Sequence, residues 1–263
     1  MTSFHRYTCN ATLIGLWLAA ASGAYAQVST INSAIINPRV YNDVPGATLT
    51  SVALYPAVIG FDESHVSTNN GFANRDTWQF SNNGGASAYQ FQNSDYFDAS
   101  MSLQLSGSPI APRKEAGFLF STANEGDIQF FVNTDGHEVV QVGGISFYSF
   151  NANNGITYNS GAFITLGLNY FLDTATGKNA LQFFANGTPS PVFDFGPGVG
   201  SGALDIGNGS TLGGYFQIVN DPTNPGNSGS AVFQNITITV PEPSSLVLLS
   251  AGVLPLLLRR RRI

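Results

Sequence analysis

Apolar and polar residues alternate along much of the chain, and this alternation constrains the fold more than any other feature. Every second residue is apolar in residues 101–105, 128–132 and 164–172. When apolar residues recur at every second position, one face of the strand points toward a core. No segment between residues 27 and 239 has the apolar stripe and caps of an amphipathic helix. The chain is therefore predicted to be all-β.

Turn-forming sequences separate the predicted strands. Asn186-Gly187 is a strong signal for a tight turn with positive φ, and Asp135-Gly136 marks a second turn. Residues 27–94 are predicted to form early strands and loops of the same domain. Further strands are predicted at residues 116–121, 138–142, 180–185, 212–219 and 231–240. About ten to fourteen short strands at this spacing favour a two-sheet antiparallel sandwich or jelly roll.

The C-terminal residues combine a proline-rich segment, an apolar run and an arginine cluster. Residues 240–243 read Val-Pro-Glu-Pro, residues 244–258 are mostly apolar, and four arginines follow. At ~1.5 Å per residue this run makes a helix of roughly 22 Å, which is shorter than the ~30 Å hydrocarbon core of a bilayer. The positive-inside rule places the arginines in the cytoplasm and the residues before Pro241 on the outer side.

This order of segments resembles the PEP-CTERM sorting signal of Gram-negative bacteria, and residues 240–263 are predicted to be such a signal. The resemblance implies a single short helix that is held transiently in the inner membrane and is cleaved by an exosortase, a membrane protease. An ordinary tail anchor behind a proline linker is the alternative. The predicted sorting residues are Val240, Pro241, Glu242, Pro243, Arg259, Arg260, Arg261 and Arg262.

Residues 1–26 have the form of a secretory signal peptide. An apolar stretch at residues 11–23 is followed by Ala24-Tyr25-Ala26, an A-x-A cleavage site, which makes Gln27 the expected mature N-terminus. Export through the Sec machinery to the cell surface or extracellular matrix is expected. The single cysteine, Cys9, lies inside this segment. The mature domain, residues 27–239, would therefore contain no disulfide, thiol nucleophile or cysteine-ligated metal.

The predicted mature domain is strongly acidic. Its fifteen Asp and Glu residues and five Lys and Arg residues give −15 and +5, a net charge of about −10. Nucleic-acid binding needs a basic face that displaces counterions. Nucleic acid is therefore not an expected partner.

Residues 95–239 are similar to concanavalin A-like lectin and glucanase sandwiches. The resemblance rests on the succession of residues 115–120, residues 126–132, the turn at Asp135-Gly136, the hairpin at residues 180–187 and the closing strand at residues 230–238. It implies a sandwich in which the closing strand pairs near the start of the domain. The functions known on that fold include glycan hydrolysis and glycan binding.

Hydrolysis would need two catalytic carboxylates. Laminarinase-type hydrolases of this fold carry a Glu-x-Asp-x-x-Glu strand. Glu125 and Asp127 match its first two carboxylates, but Phe130 occupies the third position. This segment is therefore interpreted as a solvated turn.

Other candidate groups are also sparse. The carboxylate pairs Asp62-Glu63 and Asp95 with Asp98 are predicted to lie in loops. The mature domain has two histidines, His65 and His137, too few for a histidine metal site and without a serine nucleophile motif. The protein is predicted to be non-catalytic, with a diverged glycoside hydrolase as an alternative.

Calcium is the one cofactor left open by the sequence. Residues 133–138, 173–179 and 221–227 form oxygen-rich turns of the kind that can bind Ca²⁺. Turn-forming Asx residues explain the same segments without a metal. No other cofactor is predicted.

Sugar binding is the function that the composition of the surface favours. Aromatic rings cover the apolar faces of sugars, and amides bind their hydroxyls. The predicted glycan-binding residues are Tyr96, Tyr148, Asn151 and Tyr158, although aromatic residues in polar segments often pack in a core. The leading hypothesis is an exported, non-catalytic, biofilm-associated surface or matrix protein with exopolysaccharide as its partner. A lectin-like carbohydrate-binding module is the first alternative.

Overall fold

Two seven-stranded antiparallel sheets pack face to face in the computed structural model, which describes residues 31–64, 66, 71–196, 202–224 and 226–240. Sheet A has the strand order β1-β4-β13-β6-β7-β8-β9, and sheet B has the order β12-β11-β10-β5-β14-β3-β2. The predicted two-sheet antiparallel sandwich is therefore confirmed.

The strands of sheet A are β1 (Ser33–Asn42), β4 (Ala73–Ser81), β6 (Lys114–Thr122), β7 (Gly126–Asn133), β8 (Val139–Val142), β9 (Tyr148–Ser149) and β13 (Thr211–Val219). The strands of sheet B are β2 (Thr48–Leu54), β3 (Val58–Ser64), β5 (Phe97–Ser108), β10 (Phe163–Asp173), β11 (Lys178–Ala185), β12 (Thr188–Pro189) and β14 (Ser228–Thr239). The strands predicted at residues 116–121, 138–142, 180–185, 212–219 and 231–240 correspond to β6, β8, β11, β13 and β14.

The core lies between the two sheets and is rich in aromatic side chains. Trp78 of sheet A is fully buried and packs edge-on against Phe80 and against Phe233 of sheet B. Phe130 of sheet A packs against Phe183 of sheet B in the same way. Such contacts use the period-two alternation of both sheets, because each strand gives every second side chain to the core.

One short helix interrupts the all-β pattern. Helix α1 (Phe150–Asn154) begins after Ser149, whose hydroxyl accepts a hydrogen bond from the amide of Ala152, and ends at Gly155 with φ 70°. This helix is not predicted by the sequence, because five residues are too few to show a helical period.

The closing strand β14 pairs with β3 and β5, near the start of the domain, as the resemblance implied. The Asn186-Gly187 turn has positive φ at both residues, 49° and 80°, as predicted. No helix in the described ranges is both long and apolar enough to cross a membrane. The predicted signal peptide and the sorting signal after Val240 lie outside the described residues.

Candidate functional site

The outer face of sheet A, which points away from the core, carries polar and aromatic side chains in aligned rows. The strand register places Tyr41, Arg75, Gln217, Glu115 and Asn133 in one row across β1, β4, β13, β6 and β7. The next row contains Asn37, Thr77, Tyr215, Gly117 and Phe131, and the third contains Gln79, Gly213, Leu119 and Gln129. These rows bring together residues that are far apart in the sequence.

Arg75 is the basic residue of the first row, and its guanidinium group is held on three sides. Its central carbon lies 4.9 Å from the centroid of the Tyr41 ring and 4.9 Å from that of Tyr215. Its Nε donates a hydrogen bond of 2.7 Å to Oε1 of Gln217. The two tyrosine rings and the side-chain amide of Gln217 together hold the guanidinium in one orientation, because cations are attracted to aromatic faces.

The two terminal nitrogens of Arg75 remain available to a ligand. Within the described ranges, neither has a protein acceptor or an ion-pair partner, although the residue is only 9% exposed. A guanidinium group binds a carboxylate best through two parallel N–H donors. The site is therefore suited to a planar anion.

Gln217 connects Arg75 to a buried carboxylate. The Nε2 of Gln217 donates a hydrogen bond of 3.0 Å to Oε1 of Glu115. Burial raises the pKa of Glu115, and the nearby charges of Arg75 and Arg113 partly oppose that rise. The chain Arg75–Gln217–Glu115 thus fixes the amide of Gln217 and, through it, the guanidinium.

A β-bulge brings Tyr41 beside Arg75. The pairing of β1 with β4 shifts between Asn37 and Tyr41, so that extra residues of β1 stand opposite a shorter stretch of β4. Arg39, inside the bulge, has a φ of 57°, a conformation that few residues other than glycine adopt. Bulges of this kind redirect side chains beside functional sites. Tyr41 is 49% exposed and so can contact a ligand.

These rows form the floor of a groove with a volume of about 270 Å³. The residues that line it include Asn37, Tyr41, Arg75, Gln79, Ser121 and Asp127. Gly213 lies in the floor between Gln79 and Leu119, where it contributes no side chain. The groove therefore offers one cation, several neutral donors and acceptors, and one carboxylate.

The predicted glycan-binding residues do not line this groove. The Tyr96 hydroxyl donates to Oδ1 of Asn179 at 3.0 Å, and its ring packs against Tyr170. The Tyr148 hydroxyl donates to Oδ1 of Asn154 at 2.7 Å, and its ring packs on Phe150.

Asn151 and Tyr158 lie together beside the loop that contains His137. The side chain of Asn151 donates to the carbonyl of His137 and accepts from the amide of Val139. Tyr158 is only 2% exposed, and its hydroxyl donates to the carbonyl of Leu105 or Ala162 and accepts from the amide of Leu105. The structure thus brings three predicted residues near α1 and leaves Tyr96 elsewhere. Their role in glycan binding stays a prediction.

The other predicted groups occupy varied positions. Glu125 accepts a hydrogen bond of 3.0 Å from the amide of Asp205, and Asp127 is exposed at the start of β7. His137 is bonded through Nδ1 to the carbonyl of Tyr158 at 2.8 Å, and His65 lies outside the described residues.

In two of the turns that were considered as calcium sites, residues 173–179 and 221–227, the first aspartate accepts hydrogen bonds from within the turn. Asp173 accepts from the amide of Ala175 and the hydroxyl of Thr176, and Asp221 accepts from the side-chain amide of Asn224 and from Thr223. These bonds lower the pKa of both aspartates. In the part of the chain that the structure describes, no cluster of three or more His, Cys, Asp or Glu residues could hold a metal ion.

The prediction that Asp62-Glu63 lies in a loop is wrong, because both residues belong to β3 and Glu63 is fully buried at 0% exposure. Its Oε1 is 2.9 Å from an Arg39 guanidinium nitrogen and accepts a hydrogen bond of 2.6 Å from Asn74. Within the described ranges, its Oε2 has no hydrogen-bond partner, and neither has Oδ2 of Asp76. Asp98 is likewise in a strand, β5.

Burial raises the pKa of Glu63 from its ordinary 4.5 to about 7, against the hydrogen bond from Asn74, while Asp76 raises it further and Arg39 lowers it. The folded protein therefore binds this proton more tightly than the unfolded chain, and stability falls as pH rises from 4.5 to 7. At 1.36 kcal/mol per pKa unit, the loss is about 3 kcal/mol.

Glu63→Gln is expected to remove this part of the pH dependence. Urea unfolding at pH 4.5 and pH 8 gives the unfolding free energy of the variant relative to that of wild type. This relative stability should be about 3 kcal/mol more favourable to the variant at pH 8 than at pH 4.5. Glu138→Gln, which changes a half-exposed carboxylate, is the matched control. An equal shift in both variants would refute the assignment to Glu63.

Arg75, Gln217 and Glu115 were not predicted as a group from the sequence. Arg75 lies in a segment that was not assigned to a particular strand, and the other two lie in strands read for their apolar faces. Polar residues at every second position of β4 were the available signal, because Arg75, Thr77 and Gln79 share one side of the strand.

No protein-family model matches this sequence, and no curated protein matches it. Among solved structures, the fold is similar to the alginate lyase AlgAT5 of polysaccharide lyase family 7, with 10% identity over 71% of this chain and 79% of that chain and a TM-score of 0.49. An alginate lyase from Corynebacterium sp. is 11% identical over 72% and 83%, with a TM-score of 0.47. Sheep galectin-11 is 16% identical over 57% and 95%, with a TM-score of 0.34.

These comparisons contradict the prediction of a non-catalytic matrix protein. The finding that overturns it is that several of the matching solved structures are polysaccharide lyases, which are enzymes. At these identities and TM-scores the likeness concerns the fold alone. The chemistry of this chain therefore has to be derived from its own groove.

Proposed function

We propose that this protein is a lyase that cleaves a uronate-containing polysaccharide in the groove over sheet A. The observation that carries the proposal is the buried guanidinium of Arg75, whose two terminal nitrogens have no protein acceptor in the described ranges. A uronate carboxylate is the planar anion that such a fork binds in a polysaccharide. The amides of Asn37 and Gln79, which line the same groove, suit the sugar hydroxyls.

Binding of the carboxylate by Arg75 favours β-elimination. When the proton on carbon 5 of the uronate is removed, negative charge develops on the adjacent carboxylate, where the guanidinium stabilises it. The electron pair of the broken C5–H bond forms a double bond between carbons 4 and 5. The bond between carbon 4 and the glycosidic oxygen then breaks, and that oxygen takes up a proton. The reaction consumes no water and no oxidant.

Tyr41 is the residue best placed to move the proton. It lies in the row of Arg75, its ring contacts the guanidinium, and about half of its surface is open to a ligand. A deprotonated phenol can accept the carbon 5 proton and return it to the departing oxygen. Tyr215, on the other side of Arg75, is fully buried and acts as a wall that holds the guanidinium.

The test is incubation of the purified protein with homopolymeric and heteropolymeric uronates. A lyase should release fragments that end in an unsaturated uronate, which is detected by its ultraviolet absorbance and by a fragment mass lower than that of a hydrolysis product by one water. Fragments with the mass of hydrolysis products, or no fragments from any uronate polymer, would overturn the proposed reaction.

We further propose that the protein reaches its substrate by export. The support is sequence-based: a signal peptide at residues 1–26, a domain at residues 27–239 of the concanavalin A-like type, and a sorting signal at residues 240–263 with a short membrane helix. The Sec machinery and an exosortase would be its processing partners, and the inner membrane of a Gram-negative bacterium its transient location. An extracellular polysaccharide would then be accessible to the groove.

The intact mass of the protein from envelope and medium tests this route. A chain that begins at Gln27 and ends between Pro241 and Pro243 is expected. A chain that retains Ile263 in the inner membrane would refute sorting by an exosortase and would leave a tail-anchored domain.

A further inference from the structure

The groove over sheet A carries opposite charges at its two ends. Arg75 lies in the first row, beside Tyr41. Asp127 lies at the other end, opposite Ser121 in the pairing of β6 with β7. Both residues line the same groove, and Asp127 is exposed. A bound polymer would therefore meet a cation at one end of the groove and an anion at the other.

The two charges act on different sugars. Along β6 the row of Arg75 passes through Glu115 and the row of Asp127 passes through Ser121, six residues later. This is roughly 20 Å along an extended strand at ~3.4 Å per residue. A carboxylate bound by Arg75 would thus leave Asp127 facing another part of the chain.

The surface between them is neutral. Thr77, Gln79 and Leu119 line the middle of the groove. Of the residues in the described ranges that line the groove, Arg75 is the one with a basic side chain. Arg113, on the neighbouring part of the face, is engaged with Asp135 and Glu138 at 3.5 and 3.3 Å. The groove can therefore neutralise one carboxylate but not a series of them.

We propose that the substrate is a heteropolymer in which each uronate is followed by a neutral sugar, and that Asp127 is the specificity-determining residue that disfavours consecutive uronates. This inference rests on the proposed function for the identity of the groove. Its physical basis is repulsion between two carboxylates that face each other, whereas the hydroxyl and amide groups of a neutral sugar can donate hydrogen bonds to Asp127.

The experiment compares two defined probes by calorimetry and by turnover. One is a hexasaccharide of hyaluronan, in which glucuronate alternates with N-acetylglucosamine, and the other is a hexamer of mannuronate. Wild type should bind the alternating probe more tightly. Asp127→Asn should tighten binding of the mannuronate hexamer about fivefold, with little change for the alternating probe. Asp62→Asn removes the same charge from an exposed position on sheet B and is the matched control.

The outcomes separate the inference from the proposed function. Equal or tighter binding of the mannuronate hexamer by wild type would overturn the inference, as would an Asp127→Asn effect that is the same for both probes or is matched by Asp62→Asn. Preferential binding of the alternating probe without cleavage would uphold the inference and refute the lyase. If neither probe bound, the inference would fail, whereas the lyase would fail only if no uronate polymer were cleaved.

Discussion

Gly213→Ala is expected to destabilise the fold by about 3 kcal/mol or more, enough to leave a large fraction of a marginally stable domain unfolded. A β-carbon built on Gly213 would lie 1.8 Å from the carbonyl oxygen of Trp78 and 2.6 Å from the Cα of Gln79. Both atoms belong to the backbone of β4, the strand paired with Gly213. Rotation of a side chain cannot relieve such an overlap, so β13 and β4 would have to separate.

Gly213→Ala should also disturb the groove. Gly213 lies in the floor between Gln79 and Leu119, and β4 carries Arg75. Separation of β4 from β13 would move Arg75 away from Gln217 and disrupt the bond between them. Loss of stability and loss of substrate binding should therefore appear together in this variant.

Gly46→Ala is the matched control, because a β-carbon at Gly46 would meet no atom within 4 Å. Thermal and urea unfolding of both variants, followed by circular dichroism, measures the effect. We expect Gly46→Ala to unfold within about 1 kcal/mol of wild type. A Gly213→Ala variant as stable as wild type would show that β4 and β13 can separate at little cost.

The sequence predicts where the strands lie better than it predicts which strands pair with each other. The alternation in residues 128–132 and 164–172 is local and follows from burial of one face, so it is visible without a structure. The pairing of β4 with β13 joins residues near 77 to residues near 215, and no local pattern contains that information. The two-sheet architecture was therefore predictable, whereas the strand order was not.

The candidate site could not be predicted for the same reason, because it depends on strand pairing. Arg75, Gln217 and Glu115 come from three strands that are distant in sequence, so their row exists only after the sheet has formed. Tyr158 shows the converse error, since it was predicted to bind glycan but is buried. It lies in an asparagine-rich segment that suggests an exposed ring, but backbone groups of Leu105 satisfy its hydroxyl in the core. Burial of a tyrosine depends on such partners, which composition does not reveal.

Arg75→Met is expected to lower kcat/KM for a uronate polymer by about a hundredfold or more. Loss of a buried, hydrogen-bonded charge partner costs about 2–5 kcal/mol, and each 1.4 kcal/mol corresponds to a factor of ten. Methionine keeps an apolar chain between the rings of Tyr41 and Tyr215, so much of the packing should survive. The loss should therefore reflect the missing guanidinium.

Arg75→Lys separates charge from geometry. Lysine keeps the positive charge but lacks the planar fork and the Nε group that donates a hydrogen bond to Gln217. It should therefore recover only part of the lost activity. Arg113→Met removes one positive charge from a more exposed position, paired with Asp135 and Glu138, and controls for the change in net charge. It should retain most of the activity.

Steady-state kinetics, with melting temperatures to verify folding, measures these effects. If Arg75→Met is folded and turns over substrate within about threefold of wild type, the guanidinium does not bind the reacting uronate, and the proposed mechanism is wrong. If Arg75→Lys equals wild type, a point charge is sufficient and the fork geometry is irrelevant. A large loss in Arg75→Met with partial recovery in Arg75→Lys is expected because the rings and Gln217 orient a fork that lysine cannot reproduce.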